Sequence, residues 1–92
     1  MKIEREQNGH KGAFFVMKDG ERAGEMTYTM AGETRMIIDH TEVKDSLRGE
    51  GAGKRLVRAG VEFARENGFK LIPLCPFAKS VIEKDPELQG ER

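Results

Sequence analysis

The hydrophobic period of this chain changes at one place, the glycine-rich segment of residues 49–53, and that change limits the possible folds. Before the segment, apolar residues form short runs typical of strands. After it, they recur at the spacing of one helix face. Strands followed by a helix, a strand and a helix predict an α+β fold with one parallel crossover. The 92 residues are expected to form one domain, residues 1–92, with one modest core.

The first half of the chain predicts an antiparallel meander of strands. The strands are expected at residues 12–18, 23–30 and 34–43, with a weaker edge strand at residues 2–7. Asp19-Gly20 is a strong signal for a two-residue hairpin turn between the first two long strands. Ala31-Gly32 offers the next turn, so neighbouring strands are expected to pair in chain order.

The second half predicts one long helix over residues 51–67. Leu56, Gly60 and Ala64 fall on one helical face of this segment. Gly68 then supplies a typical C-terminal stop.

A strand and a last helix are expected after this stop. Residues 69–75 are apolar on both faces apart from Lys70, which favours an interior strand flanked by helices. Pro73 lies inside this strand, and because proline has no N–H group, the strand is expected to lose pairing near its end. Pro76 is placed to open a last helix, which runs to about residue 84 and is stopped by Pro86.

The composition argues against several functional classes. With 37% hydrophobic and 35% charged residues and a formal net charge of +0, the chain lacks the basic excess of a general nucleic-acid binder. No apolar run approaches the roughly 20 residues of a membrane span, and the charged N-terminus has no signal-peptide core. A cytoplasmic location without a membrane partner is therefore expected. The single cysteine, Cys75, excludes an internal disulfide and a multi-cysteine zinc site, and no metal is expected. Exposed strand edges permit a monomer or a weak homodimer.

The glycine segment suits a bound phosphate group. Glycine lets backbone N–H groups approach a ligand closely, and the start of a helix presents unpaired N–H groups and the positive end of the helix dipole. Between Glu42 and Arg58 there are five basic and three acidic residues, a local excess of two positive charges. The alternative interpretation is a solvated helix face that begins with a tight turn.

Two nucleotide-binding motifs do not fit this segment. A P-loop would require a glycine in place of Arg48 and a hydroxyl residue in place of Arg55. The dinucleotide fingerprint would require a glycine in place of Lys54. The pattern that remains is Arg48-x-x-Gly51-x-Gly53, leading into a helix.

This pattern resembles the acyl-CoA signature of the GNAT acetyltransferase superfamily, which is Arg or Gln, two residues, Gly, one residue, then Gly or Ala. Two further blocks extend the resemblance: His-Thr-Glu-Val at residues 40–43 and Pro-Leu-Cys-Pro-Phe-Ala at residues 73–78. Together the three blocks are similar to a small single-domain subgroup of GNAT-like proteins. The resemblance implies the minimal acyl-CoA N-acyltransferase fold, without the helices that many larger relatives insert after the first strand.

The resemblance also implies that the chain binds coenzyme A and acetyl-CoA. Backbone amides of residues 48–53 would hold the pyrophosphate, and the pantetheine arm would lie where the strands of residues 37–43 and 69–75 part. The cofactor-binding residues implied in this way are Val43, Arg48, Gly49, Glu50, Gly51, Ala52, Gly53, Lys54, Pro76, Phe77 and Ser80.

Three residues are candidates for the chemistry. Cys75 precedes a predicted helix start, where the helix dipole can lower the pKa of a thiol. Beside an acyl thioester it could accept the acyl group by thiol exchange; the alternative is a small buried hydrophobic residue. His40 and Glu42 point to the same face of a strand, and either could act as a general base toward an amine. The alternatives are a structural histidine and a surface carboxylate. Met36 and Ile38 share that face, so His40 is expected to be partly packed.

The chain departs from the superfamily in one respect. A tyrosine in the last helix often protonates the departing CoA thiolate, but residues 78–82 offer Ser80 and no tyrosine. The resemblance predicts an acetyl-CoA-dependent N-acetyltransferase, with an acetyl-Cys75 intermediate as one route. The acceptor is expected to be an amine of a small molecule or of a peptide or protein, which the sequence does not identify. The absence of inserted helices implies an open acceptor site, which favours a peptide end, a lysine side chain or a polyamine over an enclosed small molecule. Two alternatives remain: a CoA-binding module or sensor with little turnover, and a purely structural or interaction domain.

Overall fold

The computed structural model describes residues 1–89, which form a five-stranded sheet and three helices. The strands are β1 Ile3–Asn8, β2 Lys11–Lys18, β3 Glu21–Ala31, β4 Arg35–Val43 and β5 Lys70–Pro73. The helices are α1 Ala52–Asn67, α2 Pro76–Lys84 and the short α3 Pro86–Gln89. The strands lie in chain order; the first four pair antiparallel, and β4 pairs with β5 in parallel. The predicted α+β fold with one parallel crossover is confirmed.

The antiparallel meander is also confirmed, with small shifts at the strand ends. The β2–β3 hairpin closes through the predicted two-residue turn, with Lys18 paired to Glu21. The turn between β3 and β4 comprises residues 32–34, slightly beyond the predicted position. The opening strand β1 pairs with β2 along its whole length, and its polar sequence leaves Ile3 as its one partly buried residue.

The core lies between one face of the sheet and helix α1. The apolar stripe of α1 is buried as predicted, and it includes Leu56, Val57, Val61 and Ala64. The sheet contributes side chains that are at most 1% exposed: Met26, Tyr28, Met36 and Ile38. Burying an apolar side chain of this size stabilises a fold by about 1.5–3 kcal/mol. This packing fixes α1, and therefore its N-terminal end, relative to β4.

The prediction of an interior strand at residues 69–75 is wrong. Strand β5 comprises only Lys70–Pro73 and lies at the edge of the sheet, where β4 is its partner. Its apolar residues are partly buried because α1 contacts β5, and this contact explains an apolar run at an edge. The expected effect of Pro73 is confirmed: the parallel ladder ends where Pro73 pairs with Ile38.

A β-bulge in β4 changes which residues face the core. Between Ile38 and His40 the pairing with β3 shifts by one position, so that Asp39 is an extra residue. Beyond the bulge Thr41 faces the core side, and His40 points to the opposite face. The expectation that His40 shares a face with Met36 and Ile38 is therefore wrong, and the His40 side chain is 66% exposed.

The helices begin and end close to the predicted positions. Helix α1 is capped by Gly68, and Pro76 lies in the first turn of α2. Helix α2 ends at Lys84, but Pro86 does more than stop it: Pro86 begins α3, whose Leu88 is buried, because proline suits the first position of a helix. Among residues 1–89, no helix combines the length and apolarity needed to cross a membrane.

The packing of Gly12 against Tyr28 predicts that alanine destabilises the protein at Gly12 but not at Gly24, the other strand glycine compared. A Cβ added at Gly12 would overlap the fully buried ring of Tyr28, with Cε2 only 2.7 Å away. A Cβ at Gly24 would meet its nearest neighbour, Leu56, at an ordinary 3.5 Å. Gly12→Ala should therefore lower the free energy of unfolding by about 1–3 kcal/mol in urea denaturation, because a packed core does not absorb the extra volume. Gly24→Ala should be neutral or slightly stabilising, and equal effects of the two changes would contradict this packing.

Candidate functional site

The glycine segment carries the chain from β4 into α1 after a short 3-10 turn, Asp45–Leu47. Gly49 and Gly51 have φ values of 84° and 72°, in the left-handed region that favours glycine. Gly51 is the N-cap of α1, and no side chain caps this helix start. The sequence therefore places glycine where the backbone must reverse to begin the helix.

The start of α1 presents a row of unpaired backbone donors. The N–H group of Arg55 donates to the carbonyl of Gly51 at 3.0 Å and is the first in the helix with a backbone acceptor. Within residues 1–89, the N–H groups of Ala52, Gly53 and Lys54 take part in none of the hydrogen bonds of the protein. The first turn also holds no acidic residue. These N–H groups and the helix dipole together make a site suited to an anion.

A groove of about 350 Å³ lies in front of these donors. It brings together eight of the predicted cofactor-binding residues: Val43, Arg48, Gly49, Gly51, Ala52, Gly53, Lys54 and Phe77. Lys44, Asp45 and Leu47, which the sequence did not single out, also line it. Three predicted residues are not among its lining residues: Glu50, Pro76 and Ser80. The side chain of Glu50 instead lies 3.5 Å from Lys18.

The cations near the start of α1 do not all face the groove. Arg48 lines it and pairs with Asp45 at 2.7 Å. Lys54 also lines it and forms no ion pair within the described part of the chain. Arg58 does not line the groove. It forms ion pairs with Asp85 and Glu87, at 3.1 and 3.4 Å, and so connects α1 to the junction between α2 and α3. The local positive excess of the sequence is therefore only partly directed at the groove.

The two parallel strands part directly beside the groove. Beyond the Ile38–Pro73 pair, the N–H groups of Leu74 and Cys75 both donate to the Ile38 carbonyl, at 3.1 and 3.2 Å, and the chain then turns into α2. From this point β4 continues to Val43 with β3 as its partner. The end of β4 and the start of α2 therefore no longer pair, as expected from the missing N–H of Pro73, and this break in pairing is called the cleft below.

Cys75 lies at this cleft, as the residue before α2. Its side chain is 6% exposed, and its Sγ lies 3.5 Å from Oγ1 of Thr41. Burial raises the pKa of the Cys75 thiol, but the N–H of Ala78, the hydroxyl of Thr41 and the N–H groups of Phe77 and Thr41 favour the thiolate. Together these donors hold the pKa below its ordinary value. The sulfur does not cap α2 with a hydrogen bond of regular geometry, so the N–H groups at the start of this helix lie around it without a well-formed bond.

The structure does not bring His40 and Glu42 to Cys75. The two side chains lie on the face opposite Thr41, with His40 Nε2 3.9 Å from Glu42 Oε2. Both are well exposed, Glu42 to 81%. The sequence prediction that they share a face with each other is confirmed, but the bulge sends that face away from the thiol.

Thr41 is a residue of this site that was not predicted from the sequence. In an unbroken strand Thr41 would alternate away from Ile38, and only the extra residue Asp39 returns it to the core side. No alternation pattern in the sequence reveals this bulge. The one tyrosine, Tyr28, cannot serve as the missing acid, because it is buried and its hydroxyl is bonded to Arg5 and Gln7.

Larger depressions lie elsewhere on the molecule. One of about 810 Å³ runs along α1 and β5 and is lined mainly by apolar residues such as Val61, Leu71 and Ile82. Because the unpaired N–H groups and the cleft lie at the smaller groove, the smaller groove is the better candidate for an anionic ligand.

Comparison with known proteins agrees with this geometry. Residues 13–90 match the protein family described as GCN5-related N-acetyl-transferase. A GCN5-like protein from Staphylococcus aureus, solved by NMR, is 40% identical, with a TM-score of 0.71 over 94% of this chain and 83% of its own. A ribosomal-protein-alanine N-acetyltransferase from Brucella melitensis shares the fold, with a TM-score of 0.69 over 84% of this chain and 62% of its own, at 22% identity.

Protein NATD1 of Xenopus tropicalis is 30% identical over 61 residues, which cover 66% of this chain. The human protein NATD1 matches at the same identity over the same length. The chain spans about half the length of these curated relatives, 56% for the Xenopus protein.

The contact between Gly53 and Phe77 predicts that the effect of Gly53→Ala on the free energy of unfolding changes sign when the Phe77 ring is removed. A Cβ added at Gly53 would lie 2.6 Å from the Phe77 ring. Gly53→Ala alone should lower the free energy of unfolding by about 0.5–1 kcal/mol, because the ring must turn aside; Phe77 is 43% exposed, so its ring moves at less cost than a core side chain. In a Phe77→Ala background the same change should be neutral or stabilising by about 0.5–1 kcal/mol, since alanine is a better helix former than glycine. Urea denaturation of the four proteins tests this, and a Gly53→Ala cost that is the same in both backgrounds would exclude the contact.

Proposed function

The chain belongs to the GCN5-related N-acetyltransferase family, and from this premise we propose that it transfers an acetyl group from acetyl-CoA to an amine. We further assign it to a small subgroup marked by the Pro-Leu-Cys-Pro-Phe block of residues 73–77. The observation that carries the proposal is the row of unpaired N–H groups at the start of α1, in a groove that is also lined by Val43 at the end of β4 and Phe77 in α2. An anion site and an extended cleft that adjoin each other are what a pyrophosphate with a long arm requires.

Each part of the site is suited to one part of coenzyme A. The N–H groups of Ala52, Gly53 and Lys54 are suited to the pyrophosphate, and the Lys54 ammonium adds a positive charge. Phe77 and Val43 form apolar walls of the groove; they are 43% and 38% exposed, so a ligand arm would cover them. The unpaired edge of β4 offers backbone groups to the amides of the pantetheine arm.

Acetyl-CoA supplies an acyl thioester, and Cys75 is the residue placed to accept its acyl group. In this route the Cys75 thiolate forms a new S–C bond to the acetyl carbon, and the S–C bond to CoA breaks. The released CoA thiolate takes up a proton. The acceptor amine then forms an N–C bond to the acetyl carbon, which returns Cys75 as thiolate. The donors around the sulfur, from Ala78, Phe77 and Thr41, favour the thiolate that this route needs.

His40 and Glu42 are assigned to the acceptor amine rather than to the thiol. They lie on the outer face of β4, exposed to solvent and 3.9 Å from each other. An amine must lose its proton before it attacks, and from the outer face His40 or Glu42 would take that proton as the amine approaches, before it reaches Cys75 on the other side of β4. The open position of these two residues leaves room for a lysine side chain, a peptide end or a polyamine.

A second candidate is an acyl-CoA-binding module or acyl carrier with little turnover. Two observations favour a low turnover: the hydroxyl of Tyr28 is bonded to Arg5 and Gln7 of β1, and Cys75 is only 6% exposed. This function would use the same groove and the same thiol but would lack efficient transfer to an amine.

Strain at the helix cap predicts the effect of one substitution on coenzyme A affinity. An alanine at Gly51 would be strained by about 1–2 kcal/mol at its φ of 72°. The loop should relax and move the N–H groups apart, so that the Kd for coenzyme A, measured by calorimetry, rises about tenfold. Gly9→Ala is the matched control, because Gly9 has a φ of 67° in a remote hairpin turn. It should cost similar stability without changing affinity, and an unchanged Kd in Gly51→Ala would argue against a pyrophosphate site here.

Turnover and intact mass separate the proposed functions. With acetyl-CoA alone, wild type should gain the mass of one acetyl group, and Cys75→Ala should not. With a panel of amines, Cys75→Ala should lose activity by about 10²-fold or more if the cysteine carries the acetyl group. His40→Gln should remove one limb of the pH–rate profile while leaving the adduct intact.

Full turnover in Cys75→Ala would replace the covalent route by direct transfer. An adduct without turnover on any amine would support the acyl carrier instead. If neither adduct nor turnover is seen, both the acetyltransferase and the acyl carrier are rejected. A module that only binds coenzyme A would then remain.

A further inference from the structure

We infer that Thr41 is the positioning residue that holds the Cys75 sulfur in its reactive state, through its side-chain hydroxyl. The inference rests on the role proposed above for Cys75 and adds the group that prepares it. It follows from the register of β4, from a direct contact and from the surroundings of the sulfur.

The bulge at Asp39 places Thr41 beside the sulfur. Without the extra residue, Thr41 would lie on the outer face, and His40 would face the core. The observed register exchanges the two, so that a neutral hydroxyl faces Cys75 and the imidazole faces solvent. The bulge reverses the facing of the β4 residues beyond it, and among them Thr41 is the residue that it places against the sulfur.

The contact between the two residues is direct and lies in a largely buried place. Oγ1 of Thr41 and Sγ of Cys75 are 3.5 Å apart, within the range of a hydrogen bond to sulfur. Thr41 is half-buried and Cys75 is 6% exposed, so little water competes for this bond. The hydroxyl can accept from the neutral thiol and, after rotation, donate to the thiolate.

Charged side chains do not explain the state of the sulfur. On β4, the neighbours His40 and Glu42 point to the opposite face. On α1, Lys54 lines the groove, and on α2, Lys79 lies one turn beyond Cys75. The balance at the sulfur instead follows from burial and from the hydroxyl and backbone donors around it. The Thr41 hydroxyl is the one side-chain donor among them.

The test is a pH titration of thiolate ultraviolet absorbance, recorded as the difference between each protein and its Cys75→Ala counterpart. Thr41→Val keeps the shape of the side chain and removes the hydroxyl. Its titration midpoint should move to higher pH, because a donor to the charged form is lost. The thiolate fraction at neutral pH should fall by about three- to tenfold.

Two variants control this experiment. Thr41→Ser retains the hydroxyl and should titrate like wild type. Thr27→Val removes a hydroxyl from the outer face of β3, with no contact to Cys75, and should leave the midpoint unchanged. If Thr41→Val fails to fold, Thr41→Ala makes the same measurement without a branched side chain on the strand.

A Thr41→Val midpoint equal to wild type would overturn the inference, and so would a Thr41→Ser midpoint shifted as far as that of Thr41→Val. The titration uses no acetyl-CoA, so its result is independent of whether the protein transfers acetyl groups. An unshifted midpoint combined with a normal acetyl adduct would reject Thr41 and keep Cys75. A shifted midpoint without any adduct would keep the contact and reject the covalent route.

Discussion

Pro73 has no N–H group, and the parallel ladder between β4 and β5 stops where it pairs with Ile38. The next two N–H groups of the chain both turn to the Ile38 carbonyl, after which the chain enters α2. The end of β4 is thereby left with one partner strand, and a cleft forms beside it. The bulge at Asp39 lies at the same level and turns Thr41 toward this cleft. The site therefore depends on the loss of strand pairing at one position.

The second determinant is the start of α1, which the core holds in place. Leu56 and Val57, in the second turn of α1, are buried against the sheet, so the unpaired N–H groups before them have a fixed direction. Gly53 allows the Phe77 ring to approach the helix backbone, and Phe77 belongs to the first turn of α2. The groove and the thiol are thus connected through the contact between two helix starts. A ligand that touches Phe77 would also touch the helix end that surrounds Cys75.

The sequence allowed the fold to be predicted because each signal in it is local. Three such signals depend on only a few neighbouring residues, and the elements predicted from them were confirmed. They are the apolar runs of the strands, the Asp19-Gly20 turn and the apolar face of α1 that contains Leu56 and Ala64. The glycine loop and the effect of Pro73 were predictable for the same reason. The edge position of β5, the direction of His40 and the role of Thr41 were not, because each depends on pairing between distant strands. A bulge adds one residue to a register, and no propensity in the sequence reports it.

The central claim, that coenzyme A binds at the start of α1, is tested most directly by an NMR titration of ¹⁵N-labelled protein with coenzyme A. Binding there should give the largest shifts at the amides of Gly51, Ala52, Gly53 and Lys54, with smaller changes at Val43 and Phe77, which line the same groove. Shifts confined to the apolar depression along β5, or none at saturating coenzyme A, would contradict it.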